Sequence, residues 1–195
     1  MKYIYCICLV FTFMVSCNNG QTPKPRGFFR IDFPHKEYKF TDMDAPYKFS
    51  IPAYSFVTPD PENPKKKNWI NVTIPQNKAE IHISYYNLRE NKSQDTLFLY
   101  KLMEETRTLA YKHSVKANAI KEQLFINHEK NVYGTVYKIE GNTASPFQFF
   151  LTDSTSHFIR GALYIRATPD IDSLKPVIDF LEKDIVRLIE TTTWN

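Results

Sequence analysis

Apolar and polar residues alternate with a period of two in runs split by short turns, and this pattern narrows the chain to a small set of folds. Ile70, Val72 and Ile74 alternate with Asn71 and Thr73; Ile81, Ile83 and Tyr85 alternate with Glu80, His82 and Ser84. Successive side chains of a strand leave on opposite faces, so each run reads as a half-buried strand. Pro75-Gln76-Asn77-Lys78 between them is turn material, which predicts an antiparallel hairpin. Further strand signals cover residues 47–51, 122–127, 132–140, 145–152 and 157–167. The last four are separated by His128-Glu129-Lys130-Asn131, Gly141-Asn142-Thr143 and Asp153-Ser154-Thr155-Ser156, which predicts a four-stranded meander.

Two segments follow the helical period instead. Leu99, Leu102, Met103, Thr106, Leu109, Ala110 and His113 form one stripe; Leu174, Val177, Ile178, Leu181, Ile185, Leu188 and Ile189 form a stronger one. Asp172 or Ser173 is expected to cap the second helix, with Pro176 in its first turn, where a missing N–H costs nothing. The order strands, helix, strands, helix, with short links between strands, predicts an α+β fold: an antiparallel sheet with two main helices packed on it. Tyr47-Lys48-Phe49-Ser50-Ile51-Pro52 and this element order are similar to the photosystem PsbP and Mog1 sandwich fold, a resemblance of fold alone.

Composition removes several function classes. The five glycines never group into a run that could cradle phosphate on backbone amides. Cys6, Cys8 and Cys17 are the three cysteines, so no thiol follows Cys17 to form a disulfide, a zinc–thiolate site or a nucleophile. Lys and Arg outnumber Asp and Glu by only 25 to 21, too little to argue for nucleic acid. The length of 195 residues suits one compact core, expected over residues 28–195.

Met1-Lys2 followed by the apolar run from Tyr3 to Val15 reads as a signal peptide over residues 1–16. As a helix that run would span ~20 Å, short of the ~30 Å hydrocarbon core. It ends in Met14-Val15-Ser16-Cys17, which resembles a bacterial lipobox cut before Cys17, with Met14 where Leu is usual. Lipidation of Cys17 would supply more than one acyl chain, enough to hold a protein on its membrane. Residues 17–27, polar and carrying Pro23 and Pro25, are expected to form an extended tether reaching at most ~35 Å.

Immediately beyond, Pro23-Lys24-Pro25-Arg26-Gly27-Phe28-Phe29-Arg30-Ile31-Asp32-Phe33-Pro34 closely resembles the opening motif of the gliding motility lipoprotein family GldD of the Bacteroidetes. Arg107-Thr108-Leu109-Ala110-Tyr111-Lys112-His113, Gly141-Asn142-Thr143-Ala144-Ser145 and the run from Phe149 to Tyr164 agree with the same pattern. Residues 59–67 and 90–97 resemble it least. The resemblance implies a cell-envelope lipoprotein required for gliding and linked to type IX secretion, with envelope proteins of those systems as partners, no enzymatic activity and no cofactor. Surface-exported lipoproteins of that phylum often carry acidic residues just after the Cys, and Asn18 to Arg26 has none. By that resemblance the protein faces the periplasm, with the outer membrane favoured over the inner.

The residues that could carry an interaction each have a plainer reading. Lys24, Arg26 and Arg30 interleave with Phe28, Phe29 and Phe33, a composition that suits a partner groove or an anionic surface, and equally a strand packing its rings on the sheet. Arg107 and Lys112 give the first helix a basic side, and His113 is placed to satisfy its terminal carbonyls. Asp153, Ser154, Ser156 and His157 invite a hydrolase reading, but they crowd one turn, where Ser and Asp side chains bond their own backbone, whereas a triad draws on separated elements. Arg160 shares a strand face with Phe158 and Ala162 and is expected to pair with Asp153 or with a partner's carboxylate. An alternative function, an envelope hydrolase or small-ligand binder, requires Asp153, His157, Arg160 and His113 to converge on one pocket. No two of His35, His82, His113, His128 and His157 stand three or four residues apart, so no helical metal-ligand pair is predicted. His82 is expected on a solvated polar strand face with Glu80 and Ser84.

Overall fold

A computed structural model describes residues 30–90, 95–112, 116–168 and 170–195. Its centre is a seven-stranded sheet in the order β4-β5-β6-β10-β9-β8-β7. The strands are β4 (Phe56–Pro59), β5 (Ile70–Ile74), β6 (Ala79–Asn87), β7 (Ala117–Asn127), β8 (Val132–Gly141), β9 (Phe147–Thr152) and β10 (His157–Ile165). Neighbours in this sheet run antiparallel throughout. The predicted hairpin β5–β6 and the meander β7-β8-β9-β10 are both present, and β10 closes the arrangement by pairing with β6.

The helices are α1 (Asp95–Tyr111) and α2 (Ile171–Thr191). They occupy opposite faces of the sheet, as strand alternation requires. Val177, Ile178, Leu181, Ile185, Leu188 and Ile189 of α2 join Val72, Ile81, Phe149, Ile159 and Leu163 in the larger core. Leu102 and Ala110 of α1 join Leu88, Tyr137, Ile139, Phe150 and Phe158 in the smaller one. Full burial of a Leu, Ile or Phe side chain contributes about 1.5–3 kcal/mol, which makes the α2 face the main source of stability.

The start of α2 corrects two expectations. Its cap is Asp170, whose carboxylate accepts from the Asp172 amide at 3.2 Å and the Ser173 hydroxyl at 2.8 Å, so Asp172 and Ser173 are the capped groups. The helix therefore begins earlier than the apolar stripe suggests, and Pro176 lies inside it rather than in its first turn. At the far end Thr191 accepts from the Ser50 amide at 2.9 Å and tacks α2 to the segment below.

Residues 47–51, expected as one strand, divide between two partners. β2 (Tyr47–Lys48) pairs with β11 (Thr193–Trp194) near the chain's end, while β3 (Ser50–Pro52) pairs with β1 (Tyr38–Phe40). Phe49 between them is fully buried, and its carbonyl accepts from the Thr41 amide at 2.9 Å.

Close backbone approach fixes one glycine. A Cβ at Gly161 would lie 2.1 Å from Phe149 Cζ, so only glycine lets that ring cross β10. Among the described residues no helix is long and apolar enough to cross a membrane.

Candidate functional site

The turn between β9 and β10 is built on Asp153. Its Oδ1 accepts from the amides of Thr155, Ser156 and His157 at 3.0, 2.8 and 2.8 Å, and its Oδ2 accepts from the Thr155 hydroxyl at 3.1 Å. Burial works against the charged carboxylate, but these donors outweigh it and hold the group below the usual Asp range. Ser154 sits at φ 66°, which the turn demands. Oδ1 is committed to three backbone amides and Oδ2 to the Thr155 hydroxyl, so Asp153 does not orient the His157 ring.

The His157 ring turns elsewhere. Its Nδ1 shares a hydrogen bond with the Tyr85 hydroxyl at 2.9 Å, and it stacks on Trp194 at 5.3 Å with 10° between planes. Burial depresses its pKa, against a raising influence from Asp153. An open cleft of about 480 Å³ borders this group, with Arg89, Lys130 and Trp194 among its walls. Among the described residues no serine or threonine hydroxyl bonds the imidazole, whose partner is the Tyr85 hydroxyl, and the group supplies a flat aromatic platform with cations nearby.

Arg160 lies on the other side of the sheet. It is three residues along β10 from His157, an odd number, and the ladder runs without a break from His157 to Ile165. The two side chains therefore leave on opposite faces. The pocket that the hydrolase or small-ligand alternative requires does not gather Asp153, His157 and Arg160 among the described residues, and His113 lies outside them. Nor does Arg160 pair with Asp153: its Nη2 donates to Gln148 Oε1 at 3.4 Å. Phe158 and Ala162 do share its face, as the alternation predicts.

Around Arg160 the strands β5, β6 and β10 leave a polar hollow of about 170 Å³. Asn71, His82 and Ser84 line it, and the loop after β4 brings Asp60, Asn63 and Trp69 to its rim. This face is less solvated than expected. Glu80 is buried, and its Oε2 receives Arg166 Nη2 at 2.6 Å and lies 3.2 Å from His82 Nε2, while Thr73 donates to Oε1 at 3.1 Å. Burial opposes ionisation of Glu80, and these partners together lower its pKa. Asn71 is 4% exposed, and its Oδ1 has no partner among the described residues. The alternation around Asn71 and Ser84 was legible; that a proline-rich loop would wall them in was not.

The remaining predicted residues stand apart. Arg30 is exposed and pairs with Asp32 at 3.1 Å. Arg107 lies 3.6 Å from Glu122 of β7 and covers the Tyr111 ring, so the basic side of α1 meets a strand as well as water. Cys17, Lys24, Arg26, Phe28 and Phe29 lie outside the described residues. Among the described residues no three His, Cys, Asp or Glu side chains form a group that could hold a metal ion.

Sequence reasoning missed a buried charge cluster that fastens the entry of the chain to α2. Lys36 Nζ lies 2.6 Å from Asp184 Oδ1 and 2.9 Å from the Phe180 carbonyl, and it sits 3.3 Å from the Phe180 ring centroid. Tyr54 donates to Asp184 Oδ2 at 2.7 Å and Tyr38 to Oδ1 at 3.0 Å. Burial lowers the Lys36 pKa against the pull of Asp184, while burial and Asp184 push Tyr38 up to about 12. Phe33 stacks on Phe180 at 4.3 Å, so the first described segment is strapped to this helix. The signal was present: Asp184 interrupts the stripe between Leu181 and Ile185, and an acid there demands a partner.

An antiparallel sheet with a helix on each face and a strapped N-terminal segment define an α+β sandwich. The chain belongs to the gliding motility lipoprotein GldD family, whose model matches residues 18–194. In structure it is similar to the solution structure of cyanobacterial PsbP (CyanoP) from Synechocystis sp. PCC 6803, at 8% identity and a TM-score of 0.48, over 83% of this chain and 95% of that one. No curated protein matches the sequence. The family is one of lipoproteins of gliding motility, which places this chain in the lipid-anchored cell envelope and in the gliding process.

Proposed function

We propose that the protein is cut before Cys17, held by lipid on that residue, and serves gliding motility and the linked type IX secretion machinery as a non-catalytic interaction protein. The observation that carries this reading is the family match, which spans residues 18–194, the whole stretch after Cys17 but for the last residue. Residues 17–27 act as the tether and 28–195 as the folded unit. The protein faces the periplasm, on the outer membrane rather than the inner, in a member of the Bacteroidetes.

Geometry supports presentation over catalysis. Asp153 is consumed by its own turn, and His157 and Arg160 stand on opposite faces of β10. The Lys36–Asp184 pair holds the tether's exit against α2, so one side of the sandwich stays close to the lipid. Confinement to that layer raises the effective concentration toward other anchored proteins and lets modest contacts hold a complex.

Photoreactive residues at Phe28, Arg30 and Arg160, crosslinked in living cells and read by mass spectrometry, test this. Capture of gliding or type IX secretion proteins from Phe28 or Arg30 places the interface beside the membrane; capture from Arg160 alone moves it to the sheet. Functional variants that capture no protein from any of the three positions would contradict the interaction reading.

A further inference from the structure

Four buried side-chain polar atoms among the described residues lack a hydrogen-bond partner, and three of them belong to one sheet face: Asn71 Oδ1, Gln148 Nε2 and Arg160 Nε. Leaving such a group unpaired costs its whole desolvation, so native structures carry few of them. Strand register explains the gap. Asn71, His82, Ala162 and Gln148 form a row across β5, β6, β10 and β9, and Ser84 lies opposite Arg160 in the adjoining row. Ala162 and Ser84 are too small to fill the space between their larger neighbours, which leaves the hollow beside the guanidinium.

We propose that this hollow binds a carboxylate, with Arg160 as its cation. The inference deepens the interaction reading and rests on it only for the source of the carboxylate. No acid among the described residues forms an ion pair with Arg160, whose Nη2 goes to Gln148. Glu80 is taken by Arg166, Thr73 and His82; Asp60 accepts from the Glu62 amide and the Asn63 side chain; Asp153 closes its turn. Gln148 Oε1 steadies the guanidinium, and its unpaired Nε2 lies on the same face. A guanidinium fork matches the two oxygens of a carboxylate. One cation with Asp60 and Glu62 at the rim disfavours a doubly charged phosphate. Asn71 Oδ1 adds a demand for an N–H close to the carboxylate. A free amino acid and an Asp or Glu residue within a partner's chain both present that combination.

The test uses the full-length protein purified from membranes in detergent, titrated at constant ionic strength and followed by the Trp69 indole N–H and the Arg160 Nε–H resonances. The probes are free glutamate, the blocked tripeptide acetyl-Gly-Glu-Gly-amide and inorganic phosphate. Saturable shifts with either carboxylate support the proposal. Tighter binding of free glutamate identifies a small-molecule ligand, and tighter binding of the blocked peptide identifies a protein partner. Arg160→Gln should weaken the Trp69 response at least tenfold, and Ser84→Leu, which fills the hollow and keeps the guanidinium, should abolish it. Absence of a saturable shift with both carboxylates, phosphate binding as tight as either, or an unchanged response in a folded Arg160→Gln or Ser84→Leu variant would overturn the proposal. Loss or survival of gliding in an unanchored variant bears on the proposed function and leaves this titration unaffected.

Discussion

Lys36 and Asp184 meet at 2.6 Å across 148 residues of sequence, and their ion pair joins the first described stretch of the chain to its last helix. Asp184 is 1% exposed in its side chain and Lys36 23%, so removing one partner strands a charge that solvent reaches poorly. Lys36→Met should destabilise the fold by about 3 kcal/mol, at the lower end for a broken buried pair because Lys36 keeps some access to water. Asp184→Asn should cost a similar amount, and the double variant should cost clearly less than the two single losses combined. Urea denaturation of the four proteins measures this; independent losses would mean that the pair does not couple.

The stacked His157 and Trp194 predict a pH dependence with a definite sign. Burial lowers the folded-state pKa of His157 below 6.5, so the unfolded chain binds its proton first as pH falls. The stability contributed by neutral His157 is complete above about pH 6.5 and is lost as pH falls through the lower folded value. His157→Gln should therefore flatten the stability profile between pH 7.5 and 5, a window in which Asp153 and Glu80 stay ionised. Trp194→Ala should move the His157 titration, read by NMR, back toward 6.5. A wild-type titration at or above 6.5 would contradict the packing described here.

Gly161 and Phe149 make a steric prediction. Gly161→Ala sets a Cβ about where the Phe149 ring now lies, and overpacking of this kind costs about 1–3 kcal/mol or more. Phe149→Leu alone should also destabilise, through lost volume in the larger core. Together the two changes should cost less than their sum, because the smaller side chain vacates the space the new methyl needs. Thermal denaturation of the set decides it, and additive losses would place the clash elsewhere.

Asp153→Ala gives a prediction that separates a turn residue from a catalytic one. It releases three backbone amides and should lower stability by about 1.5–3 kcal/mol, the range for hydrogen bonds to a charged group. Gliding should persist wherever enough folded protein remains. A stable Asp153→Ala variant that no longer supports gliding would revive the hydrolase reading.

The alternating residues of β5, β6 and β10 fixed the sheet in advance because burial on one face is a local property of sequence. The Leu181, Ile185 and Leu188 stripe fixed α2 for the same reason. What escaped were relations between distant segments: β11 reaching back to β2, and Lys36 finding Asp184. Short strands such as β1 and β4 carry too few residues for a period to show. At the candidate site, alternation placed Arg160 beside Phe158 and Ala162 correctly. Turn chemistry anticipated that Asp153 would bond its own backbone; alternation alone did not exclude the competing expectation that it pairs with Arg160, since Asx turns and ion pairs draw on the same residue type. The opposite facing of His157 and Arg160 was in principle legible from their odd spacing, once both were assigned to one unbroken strand.

The anchor is the part of the account on which the rest depends. A version of the protein carrying an ordinary cleavable signal and Cys17→Ser, expressed at the normal level, should fractionate as a folded soluble periplasmic protein and fail to restore gliding, while a version re-anchored by another lipoprotein's lipidated Cys should restore it. Full gliding from the soluble form would contradict the tethered-interaction account.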